Sequence, residues 1–163
     1  MQEQKLSPHP QITRPSRTNM SLYIVRAASW QEDGLALRAV REAVFIREQG
    51  VPAELEWDEF DVICVHLLAM NPSGNPIGTA RLLPDASIGR MAVLGDWRCK
   101  GVGSALMDRL LKEAENRQLP SVTLNAQTHA IGFYSRFGFQ QAGPEFLDAG
   151  IPHVKMMLQF RPR

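Results

Sequence analysis

The chain has 163 residues, 44% hydrophobic and 21% charged, and its 18 Lys+Arg against 17 Asp+Glu leave a formal net charge of +1. Folding at this length hides roughly 70% of the extended surface, enough for one core but not for two. The near-neutral balance excludes an acidic disordered tail and gives no electrostatic footprint for nucleic acid, and no uninterrupted apolar run of about 18 residues offers a membrane span.

Residues 1–20 carry Pro8, Pro10 and Pro15 and almost nothing to anchor a core, so they read as a disordered leader, with one domain over 21–163. They also lack the apolar stretch of a secretory signal. Ser21 to Arg26 reads as a strand, and Trp30 to Gln49 as a helix with Leu37, Val40 and Val44 on one face and Gly50 at its end. Val51 to Asp61 reads as a loop carrying five carboxylates, Glu54, Glu56, Asp58, Glu59 and Asp61. Val62 to Met70 and Pro76 to Leu83 are apolar runs joined by Asn71-Pro72-Ser73-Gly74-Asn75, the composition of a tight antiparallel connection. Ile88 to Leu94 is a third strand, followed by a helix over about Gly101 to Arg117 whose Val102, Ala105, Leu106, Leu110 and Ala114 form one stripe. Ser121 to Gln127 is the next strand, Thr128 to Phe137 a shorter helix, and His153 to Phe160 the last strand. This order predicts a mixed sheet with helices on both faces.

The two cysteines, Cys64 and Cys99, have neither zinc-site spacing nor that of a disulfide framework, so they read as reduced thiols in a cytoplasm. The stretch Arg90 to Ser104 is the most informative. An apolar strand runs into a turn containing Gly101 and Gly103, immediately before the amphipathic helix. Such a turn can aim several backbone N–H groups at one anion, with the helix dipole adding about 0.3–1 kcal/mol per negative charge. The spacing is neither G-x-x-x-x-G-K-[ST] nor G-x-G-x-x-G, so neither a nucleotide triphosphatase nor a dinucleotide site is indicated. Two glycines before a packing helix are alone an equally good reading.

Arg98-x-x-Gly101-x-Gly103 after Met91-Ala92-Val93 resembles the Q/R-x-x-G-x-G/A acyl-CoA-binding motif of the GNAT superfamily of N-acyltransferases. Ala130-x-x-Phe133-Tyr134-x-x-Phe137-Gly138-Phe139 is similar to that superfamily's second signature, and the two occur in the matching order. The resemblance spans Ser21 to Phe160. It implies an α/β (α+β) fold with a mostly antiparallel sheet of six to seven strands and one splayed parallel pair. It also implies transfer of an acetyl group from acetyl-CoA to a primary amine of a small molecule or peptide by direct attack. No metal, nucleic acid or membrane is expected, and the protein should be a monomer or homodimer.

Residue by residue, the resemblance puts Met91, Ala92 and Val93 on the pantetheine and thioester carbonyl. Arg98 and the N–H groups of Lys100, Gly101, Val102, Gly103 and Ser104 then hold the diphosphate. Phe133 lies beside the cofactor, and Gln127 stands where the superfamily often has Asn. Tyr134 is the implied general acid for the departing thiolate; its alternative is a core aromatic beside Phe133 and Phe137. Glu56 and Asp58 are the first choices for amine recognition or base work, against a reading of Glu54 to Asp61 as a solvated acidic loop. His66, inside an apolar strand, reads as packed rather than catalytic.

A second resemblance crosses the first. Arg41-Glu42-Ala43-Val44-Phe45, Asp58-x-x-Asp61 and Gly78 to Pro84 are similar to segments of the acyl-homoserine lactone synthases, which share the fold. Such a synthase, or a non-catalytic acyl-CoA sensor module, is the alternative function.

Overall fold

In chain order the elements are β1 (Ile24–Ala28), α1 (Trp30–Arg41), α2 (Ala53–Glu56), β2 (Val65–Met70), β3 (Pro76–Leu82), β4 (Ser87–Val93), α3 (Val102–Asn116), β5 (Ser121–Gln127), α4 (Ile131–Ser135), β6 (Gln140–Asp148) and β7 (Ile151–Gln159). They come from a computed structural model that describes residues 22–162. The expected leader lies outside the described residues.

One seven-stranded sheet has the order β1-β2-β3-β4-β5-β7-β6. Every neighbouring pair is antiparallel except β4 and β5. Helices cover both faces. On one side α3 lies so close that a Cβ at Gly78 of β3 would stand 3.1 Å from both Leu106 and Val102. The stripe read from the sequence is the reason: Val102, Leu106, Leu110 and Ala114 are all buried, joined by Met107. On the other side Val40 and Val44 pack against Ala92 of β4.

The first helix starts as the sequence dictates, with the Ser29 hydroxyl accepting from the Glu32 N–H and Asp33 accepting from the Ser29 N–H. It does not stay α-helical to Gln49. From Glu42 to Glu48 it widens into a π-helix, a form concentrated at functional sites, and this stretch faces the open end of the sheet.

Two readings are corrected. Gln140 to Asp148, which no sequence pattern marks as a strand, is the edge strand β6. The acidic stretch is not one solvated loop: α2 and a 3-10 turn over Glu59–Val62 bury Glu56 and Asp61 while Glu54 and Glu59 stay exposed.

Candidate active site

The β4–β5 ladder consists of two residue pairs, Ser87↔Thr123 and Ile88↔Leu124. Beyond them the strands part, and a cleft of about 1510 Å³ opens between β4, β5, the N-terminus of α3 and the π-helical stretch. The exposed edge of β4 retains hydrogen-bonding groups. The Leu94 N–H donates to the Ile77 carbonyl at 2.9 Å, so the preceding Val93 carbonyl points the other way, into the gap. In a strand a residue's N–H lies on the same side as its carbonyl, so the Val93 N–H faces the gap too.

At the mouth of the cleft, the N–H groups of Cys99 to Ser104 make no well-aligned hydrogen bond to a backbone acceptor among the described residues. Gly101 caps α3 at φ +85 without a side-chain cap, which leaves the positive end of a 15-residue helix open. The Tyr23 hydroxyl, unnoticed in the sequence, steadies this turn by donating to the Lys100 carbonyl at 3.4 Å. A Cβ on Gly103 would stand 3.4 Å from the Phe133 ring and 3.9 Å from Val93, so glycine keeps this corner of the cleft empty. An open row of amides beside a glycine-lined gap fits a diphosphate followed by a narrow pantetheine arm.

The side chains of the basic turn are placed otherwise than expected. Both terminal nitrogens of Arg98 pair with the Glu48 carboxylate, and Nε donates to the Val93 carbonyl at 3.0 Å. Arg98 thereby ties the π-helical stretch to the end of β4. Its hydrogen bonds hold the Glu48 carboxyl below the usual carboxylate range. Lys100 Nζ lies 5.2 Å over the Trp97 ring. Gln127 pairs with Gln49 across the cleft, its Nε2 donating to Gln49 Oε1 at 2.8 Å.

Tyr134 lines the cleft with Phe133, the two rings edge to face at 5.1 Å. Burial pushes its phenol up to about 12, so it is protonated throughout the physiological range. Glu56 also lines the cleft and is 3% exposed. Its Oε1 accepts from Arg41 Nε at 2.8 Å and meets Arg90 Nε at 3.2 Å. Burial raises the Glu56 carboxyl despite the pull of Arg90 and Arg41. Asp58 is held differently. Arg81 grips both its oxygens at 2.7 Å, which lowers its carboxyl below the usual range.

Asp61 completes this cluster by accepting from Arg41 and Arg81 at 2.7 and 2.8 Å. The Arg41 guanidinium also lies between the Trp30 and Trp57 rings, 5.5 and 5.1 Å from their centroids. Trp57 is thus spent on Arg41. Three arginines balance three carboxylates here, so the local field is far weaker than the acidic stretch suggests. His66 is buried, its Nε2–H donating to the Asp61 carbonyl at 2.7 Å and its ring stacked on Trp30.

Residues 28–160 match the acetyltransferase (GNAT) domain family. The chain belongs to the GNAT acetyltransferases. It is 41% identical to the uncharacterised N-acetyltransferase YjcF of Bacillus subtilis over 122 residues, which cover 72% of this chain and 86% of that protein. An acyl-CoA N-acyltransferase from Pseudomonas aeruginosa superposes with a TM-score of 0.74 at 30% identity, over 83% of this chain and 98% of that one. The CoA-dependent acyl-homoserine lactone synthase BjaI, solved with SAM and isopentyl-CoA, shares the fold at TM-score 0.70 and 17% identity, covering 85% of this chain and 84% of its own. This GNAT protein is therefore an acyltransferase. None of its described helices is long and apolar enough to cross a membrane, and its described residues hold no cluster of three or more metal-ligating side chains.

Proposed function

We propose that this GNAT protein moves an acetyl group from acetyl-CoA to a primary amine of a small molecule or peptide by direct attack. The observation that carries this reading is the row of unengaged amides at Cys99 to Ser104, opening onto the gap where β4 and β5 part. The amides of Lys100 to Ser104 take the diphosphate. Met91, Ala92 and Val93 line the path of the pantetheine, with Phe133 and Gln127 on the facing wall. Arg98 braces Val93 and reaches the diphosphate only by leaving Glu48.

Tyr134 serves the departing sulfur. Full proton transfer from a phenol at about 12 to a thiolate near 8.5 would cost about 5 kcal/mol. The hydroxyl therefore acts as a hydrogen-bond donor that steadies the forming charge. An amine of lysine-like pKa is neutral in about one molecule in 2,500 at pH 7, a handicap near 4.6 kcal/mol. Glu56, with its raised carboxyl at the cleft wall, is the base that lessens it. Asp58 is a weaker base in its grip by Arg81, and its part is to hold Arg81 and Arg90 beside Glu56.

The test is a calorimetric titration of CoA into the wild type and Gly103→Val. Valine is compatible with the backbone, and its branches fill the space between Phe133 and Val93. CoA affinity should fall by about 100-fold or more, the loss expected when a rigid wall blocks a bound group. Equal affinity in the two proteins would place the cofactor elsewhere.

A further inference from the structure

The resemblance puts Met91 beside the thioester carbonyl, and β4 aims the Met91 N–H by an unusual local structure. Between the pairs Thr79↔Ala92 and Arg81↔Gly89, β4 carries one extra residue. Arg90 in this bulge has φ +50, a region that residues with a Cβ rarely adopt.

Two sets of contacts hold it there. The Arg90 guanidinium reaches α2, donating to the Leu55 and Glu56 carbonyls at 3.3 and 3.0 Å. Its own carbonyl accepts the hydroxyl of buried Thr79 at 3.1 Å. The peptide from Arg90 to Met91 is trans, so its C=O and N–H point in opposite directions. With the carbonyl drawn to Thr79 on β3, the Met91 N–H points away from β3, to the side that β5 has left. Counting inward from the diphosphate turn, Val93 comes first and Met91 lies deeper, where the acyl end of a donor anchored at that turn comes to rest. A bulge peptide that flipped would put a carbonyl dipole where negative charge develops, reversing the sign of the interaction.

We infer that Thr79 is a positioning residue for acyl transfer: by holding the Arg90 carbonyl, its hydroxyl aims the Met91 N–H at the thioester oxygen. This rests on the acyl-CoA reading of the cleft.

Thr79→Val keeps the side chain's shape and removes the hydroxyl, and Thr79→Ser restores a hydroxyl. Three quantities are measured: kcat with acetyl-CoA and an accepted amine, the Kd of CoA without an acyl group, and the infrared carbonyl stretch of bound acetyl-CoA carrying 13C at the thioester carbon. Thr79→Val should lose about 10- to 100-fold in kcat, while CoA affinity stays within about twofold. Its bound carbonyl stretch should return toward the frequency of free acetyl-CoA. Thr79→Ser should regain the shifted frequency and come within about threefold of wild-type kcat. Thr79→Ala replaces the valine variant should that one not fold. Wild-type kcat and carbonyl frequency in the variant lacking the hydroxyl would overturn the inference. So would a loss that serine does not rescue, or one matched by an equal loss of CoA affinity. A wild-type protein that binds no acetyl-CoA would instead overturn the functional reading, before any variant is compared.

Discussion

Asp61→Asn removes one negative charge from the buried cluster of Arg41, Arg81, Arg90, Glu56, Asp58 and Asp61. Asp61 Oδ1 accepts from both Arg41 Nη1 at 2.7 Å and Arg81 Nη1 at 2.8 Å, and Oδ2 accepts from Arg41 Nη2 at 3.3 Å. An amide keeps one acceptor oxygen and turns an NH₂ toward an arginine that is itself only a donor. The cluster then holds three guanidinium charges against two carboxylates, with Arg41 and Asp61 each only 1% exposed. Breaking a buried pair on one side costs about 3–5 kcal/mol, against about 0–1 kcal/mol at a surface. Urea unfolding followed by circular dichroism measures the difference. With a slope of about 2 kcal/mol per molar urea, the midpoint should fall by about 1.5–2.5 M. A fall below about 0.5 M would mean that water screens the cluster and that the burial argument fails.

Tyr134→Phe should leave CoA affinity unchanged and lower kcat by about 10- to 100-fold, the worth of one hydrogen bond to a charged sulfur; steady-state kinetics showing an unchanged kcat would remove Tyr134 from the chemistry. A base must be deprotonated to act, so kcat/KM should fall as pH drops through the raised titration of Glu56. In Glu56→Gln that acid limb should vanish, and a pH profile retaining it would assign the limb to another group. Burial lowers the titration of His66 from 6.5, so the unfolded chain takes up this proton before the folded one does. Its contribution is therefore present above about 6.5 and lost as pH falls through the folded value. Denaturant midpoints measured between pH 7 and 5 should decline, less steeply in His66→Gln; parallel slopes in the two proteins would show that His66 is not responsible.

What was legible in the sequence was local. Ser121 to Gln127 is a strand with the expected bounds because its inward residues alternate with more exposed ones, and α3 followed from a stripe that buries against β3. The turn proposed to take the diphosphate could be read as a turn because its glycines, Gly101 and Gly103, act through the backbone, where spacing is visible in the sequence. β6 could not, since all nine of its residues are exposed and Gly143 and Pro144 interrupt any strand pattern. The acidic stretch misled for a different reason. Its partners Arg41, Arg81 and Arg90 lie 15 to 34 residues away, so nothing local distinguishes a buried ion-pair cluster from a solvated charge run. Nothing local to Arg98 likewise signals Glu48, 50 positions earlier, which neutralises it. Around the cleft, the acidic stretch and Arg98 therefore carry paired rather than open charges.

The central claim is that the cleft transfers an acetyl group to an amine. Thiol release from acetyl-CoA, followed with a panel of polyamines, aminoglycosides, amino acids and peptides, tests it most directly. At least one amine should accelerate CoA release severalfold over the acceptor-free rate and gain 42 mass units (about, for one acetyl group). Tight CoA binding with no acceptor-dependent release across the panel would contradict the claim and leave a binding module in its place.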